Sequence, residues 1–150
     1  MLITVDTKLT GWREHIIVDA YDVAHGTGGN AVTLHYQVAG YLGIDRIEDA
    51  VVAGALSESS SDEALLSAMT METQHRVVPI PRAVESKNNL LPGEPDTSRM
   101  AATFDELKAA AHSAFGAALQ ENKDTLCLII RDTISHLKKR EERMRAKETD

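Results

Sequence analysis

The last third of the chain constrains the fold most. Between residues 99 and 147 apolar side chains return every three or four positions, the repeat of one face of an α-helix. Met100, Phe104, Leu107, Ala111, Phe115 and Leu119 trace a first helix, and ENKD at 121–124 interrupts it. In a second helix Leu126, Ile130, Thr133, Leu137, Arg140 and Met144 are spaced by alternating steps of four and three. That is a heptad seam, apolar in its first half and broken at Arg140. An oily stripe on an otherwise polar helix needs cover from other protein, so the spacing predicts a C-terminal αα-hairpin. It also marks Leu126, Ile130, Thr133, Leu137 and Met144 as an expected interface with a second molecule.

The opening half reads differently. LITVD, after Met1, alternates as a short strand. HIIVDAYDV (15–23) and AVTLHYQV (31–38) flank the glycine-rich HGTGGN, which predicts a β-hairpin. With His25 set opposite Asn30 around a four-residue GTGG loop, Ile17, Tyr21 and Val23 share a face with Val32, Leu34, Tyr36 and Val38. This is the expected core face. The other face holds Ile16, Val18, Ala20 and Asp22 beside Thr33, His35, Gln37 and Ala39. The register leaves Asp19 on the core face opposite Tyr36, a carboxylate that the Tyr36 hydroxyl would satisfy or, the preferred reading, a β-bulge would turn outward.

Two helices are expected next. Ile47, Val51, Gly54 and Ala55 fall at helical spacing behind Asp45, an N-cap candidate with Glu48 as its capping-box partner. SESSS (57–61) ends that helix and caps another. There Ser61 precedes Asp62 and Glu63, and Leu65, Ala68, Met69 and Glu72 share one side until the helix stops near His75. RVVPIPRAV (76–84) is rich in β-formers but holds two prolines, which predicts an edge strand or an extended surface segment. ESKNNLLPGEPDTS (85–98) has the composition of a linker and is longer than most connections inside a domain. The expected fold class is therefore α+β: a small antiparallel sheet built on the hairpin, two helices, then the αα-hairpin. One domain of 150 residues is expected, with an α+β portion over 1–84, a flexible loop over 85–98 and a helical arm over 99–147.

Composition narrows the partners. Two Phe, three Tyr and one Trp leave the core to aliphatic side chains. The net charge of −7 is uneven: the last thirteen residues hold six cations and four acids, the rest ten cations and nineteen acids. An acidic body repels phosphate backbones, and no aromatic interleaves the basic KKREERMRAK (138–147), so nucleic acid is not an expected partner. The single Cys127 cannot form an internal disulfide, which favours a reducing, cytoplasmic setting. MLITVDTKLTGW does not read as a secretory signal, and no run of 18 apolar residues predicts a membrane span.

Motifs for chemistry are sparse. HGTGGN stands between two strands with no GK[ST] after it, so its glycines suit a hairpin tip and not a phosphate loop. The six histidines include no pair at metal-ligand spacing, and neither metal nor cofactor is expected. Cys127, between Leu126 and Leu128, reads as a small core hydrophobe. Two functions follow as expectations. The first is a non-enzymatic binding or assembly module, an adaptor, chaperone or accessory protein that meets itself or another protein through its C-terminal helices. The alternative is a small ligand-binding protein or enzyme with a pocket between the hairpin and residues 76–98. Asp22, His35 and Arg82 would be its binding residues, with a carboxylate orienting the imidazole.

Overall fold

A computed structural model describes residues 1–9, 14–25, 31–79 and 97–149. Strands β1 (Leu2–Lys8), β2 (His15–His25), β3 (Ala31–Leu42) and β4 (Met69–Pro79) form one antiparallel sheet in the order β1-β2-β3-β4. Helices α1 (Ile44–Val52) and α2 (Asp62–Leu66) fall between β3 and β4 in the chain, and α3 (Thr97–Glu121) and α4 (Lys123–Thr149) follow. The class is α+β with two C-terminal helices, as expected. Arg82, the HGTGGN tip beyond His25 and the linker up to residue 96 lie outside the described residues. The chain divides into two compact units. One comprises Met1–Asp6, Ile16–Ala39 and Glu72–Ala117; the other comprises Thr7–His15, Gly40–Met71 and Ala118–Asp150.

The hairpin register differs by one residue from the expected one. His15 stacks edge-on against Tyr41, Tyr21 does so against His35, and Gln37 donates to the Asp19 carboxylate at 2.7 Å. These pairs set 15 opposite 41, 19 opposite 37 and 21 opposite 35, with five residues, 26–30, joining the strands. A slip of one residue exchanges the faces of a strand. Ile16, Val18 and Ala20, not Ile17, Tyr21 and Val23, are therefore the buried set beside Val32, Leu34, Tyr36 and Val38. Asp19 reaches the half-buried outer face on the plain alternation of the strand. Burying an unpaired carboxylate costs several kcal/mol or more, and lengthening the loop by one residue avoids it.

In the first unit α3 covers the inner sheet face. Leu107, Ala111 and Phe115, four residues apart, are buried. His112 Nε2 lies 3.1 Å from the Tyr36 hydroxyl, and the Phe104 ring meets His75 edge-on with centroids 5.8 Å apart.

The second unit has its own core of Ile47, Leu56, Leu65, Ala68, Cys127, Ile130 and Ile134. Helix α1 starts after Gly43 without a side-chain cap, and Asp45 sits in the first turn instead of at the cap. It stops because Gly54 adopts φ 76°, with Gly54 N–H bonded to Val51 O and Ala55 N–H to Ala50 O. Only glycine enters that conformation cheaply, and the paired bonds satisfy the last carbonyls. Gly54, expected on a helical face, is thus the helix stop. In α2 the Ser61 hydroxyl caps Ala64 N–H at 3.2 Å, as its position before Asp62 and Glu63 suggested.

The helix expected to run on to His75 ends at Leu66, and β4 begins at Met69. The helical spacing of Leu65, Ala68 and Met69 reaches only Glu72, whereas Met69, Met71 and Val77 fall at even spacings. Pairing with β3 decides between them, because a strand there satisfies the backbone groups along β3's second edge. The break between α3 and α4 is shorter than ENKD implied. Asn122 alone separates them, and its side-chain amide donates back to Ala118 O at 2.8 Å.

Candidate functional site

Helix α4 places the expected interface residues in two different settings. Leu126 and Ile130 are fully buried, and Ile130 packs with Cys127 and Ile134 against residues of α1 and α2. Leu126 and Ile130 are therefore withdrawn from any surface offered to a second molecule. The buried stripe runs through Ile134 and not Thr133, whose hydroxyl bonds to Ile129 O at 2.8 Å. A straight helix on a single-chain core follows its natural 3.6-residue repeat, whereas a heptad seam needs supercoiling to stay in line. Asp62 anchors the packing from α2, accepting from Arg131 at 2.9 Å with Lys123 at 4.0 Å. The bond from Arg131 holds the Asp62 carboxyl below its ordinary value of 3.8. Burial pushes the Cys127 thiol up, and that thiol donates to Asp62 O across 3.8 Å.

Beyond Ile134 the stripe emerges. Leu137 is half-buried and Met144 is 57% exposed. Together with Val51 and Val52 of α1 they line a groove of about 300 Å³, edged by Glu48, Arg140 and Glu141. Val52 is 79% exposed. Sequence reasoning found the α4 wall of this groove through the seam. On the α1 wall it had Val51 on its helical face but missed Val52, which lies off the face carrying Ile47 and Val51.

The ligand-binding residues expected from sequence do not converge. His35 finds its carboxylate in Asp19, with Nε2 at 3.0 Å from Oδ1, and not in Asp22. On the true register Asp22 belongs to the other face of β2, where it lies 3.6 Å from the Met1 amine. Gln37 shares Asp19 with His35, so the imidazole has an oriented partner. A hollow of about 470 Å³ beside Tyr36, His75 and Phe104 opens on the opposite sheet face from His35. Among the described residues no group of three His, Cys, Asp or Glu side chains could hold a metal ion, and no helix is long and apolar enough to cross a membrane. No protein-family model matches this chain, and no curated protein or solved structure shows significant similarity to it.

Proposed function

We propose that this chain is a non-enzymatic assembly module, an adaptor, chaperone or accessory protein, that joins protein to protein through α1 and the C-terminal half of α4. The observation that carries this reading is the α1–α4 groove, where Val52 and Met144 hold large apolar surfaces in water on two adjoining helices. Apolar area of this kind gains roughly 25 cal/mol per Å² when covered, and a charged rim gives direction to the contact. The occupant is the α4 arm of a second copy. Lys138, Lys139, Arg140 and Arg143 make that arm cationic, and Asp45, Glu48 and Asp49 make α1 acidic.

Sedimentation of the full chain tests this reading. The double variant Val52→Asp/Met144→Asp is expected to weaken self-association by about ten- to a hundredfold, as loss of a central apolar contact does, while melting like the parent. An association curve identical to the parent's removes the groove from the function.

A further inference from the structure

A second surface meets the same kind of partner by different chemistry. Among the described residues β4 is the outermost strand on its side of the sheet, and Met71 through Pro79 are all exposed. Soluble proteins usually protect such an edge with lysine, an internal proline or a covering element. β4 carries no lysine, and its one proline is its last residue. Met71, Val77 and Val78 expose 54%, 43% and 49% of their surfaces along it.

The strand is also complementary to itself. An antiparallel two-fold through Gln74 sets Glu72 opposite the second copy's Arg76, and the symmetry repeats that pair on the other side of the axis. The same axis sets Met71 opposite Val77 and Thr73 opposite His75. Shifting the axis to any neighbouring position destroys the ion pairs. Within one strand Glu72 and Arg76 stand about 13 Å apart at four residues' rise, too far to satisfy each other. The opposite edge has such a register only off centre: pairing β1 with itself about Val5 puts Lys8 against Leu2 and Asp6 against Thr4, and Asp6–Lys8 pairs need an axis at Thr7, beside the strand's last residue. We infer that β4 joins two copies of this chain edge to edge, antiparallel about Gln74, so that two four-stranded sheets become one of eight.

This pairing is independent of the α1–α4 groove, and its test is made in the Val52→Asp/Met144→Asp background to keep the two apart. A strand edge alone buries less than a standard interface, so a reversible dimer in the micromolar range is expected by sedimentation equilibrium. Glu72→Arg or Arg76→Glu alone sets like charges opposite twice and should weaken the dimer about tenfold. Glu72→Arg/Arg76→Glu together recreates the pairs in reverse and should restore the parent constant to within about threefold. All these side chains are exposed, so thermal melting should stay unchanged. A background protein that remains monomeric at every concentration overturns the inference. So do single reversals without effect, or a double reversal as weak as the singles.

Discussion

Asp62 concentrates several roles in one carboxylate. It stands in the first turn of α2, accepts from Arg131 on α4 and sits beside the carbonyl that receives the Cys127 thiol. Its depressed pKa means the ionised form favours the folded chain. That stability is fully present above the ordinary value of 3.8 and is lost as pH falls through the lower folded value. Asp62→Asn should therefore lower the urea midpoint at neutral pH, with the gap to the parent closing below pH 3.8. A gap that is constant with pH excludes the charged bond as its cause. At this scale the sequence was legible where a residue acts on its own turn: Ser61 capped as read. It was illegible where a partner comes from elsewhere in the chain. Nothing local to Asp62 names Arg131, sixty-nine residues away. Asp19 stands out in the sequence as a carboxylate stranded among apolar side chains, but its local reading is a bulge, and only the cross-strand pairs show a register shifted by one.

Among the elements, α4 does two jobs along its length. The half up to Ile134 builds the core of its unit; the half beyond Leu137 presents an apolar wall and a run of charge. Truncation separates inner from outer positions. Ile130→Ala removes a fully buried side chain and should cost about 2–5 kcal/mol in chemical denaturation. Leu128→Ala, at a position 61% exposed, should stay within roughly 0.5 kcal/mol. Equal losses at the two sites contradict the burial pattern. The helical period of α4 was plain in the sequence, but the direction from which cover arrives was not. Helices as short as α1 and α2 carry too few residues to show which stripe they meet. β4 was misread for a related reason: the helical spacing of Leu65, Ala68 and Met69 carries on to Glu72, and pairing with β3 is what starts a strand at Met69.

For the whole molecule, the proposed groove contact and the inferred β4 pairing would be two different self-contacts on one chain. Two such contacts close into a four-copy assembly when their axes are perpendicular and intersect, and otherwise extend without end. Substitutions at one surface should then leave a dimer held by the other. The net charge of −7 opposes either outcome at low ionic strength.

The burial of Cys127 gives the molecule a clock. It is the chain's only thiol, 1% exposed in the seam between α4 and the short helices, and its raised pKa keeps it in the unreactive protonated form. An alkylating reagent must wait for that seam to part, so the rate of modification counts openings of one unit without any probe being added. Ile130→Ala should quicken the count, and Val52→Asp/Met144→Asp should leave it unaltered.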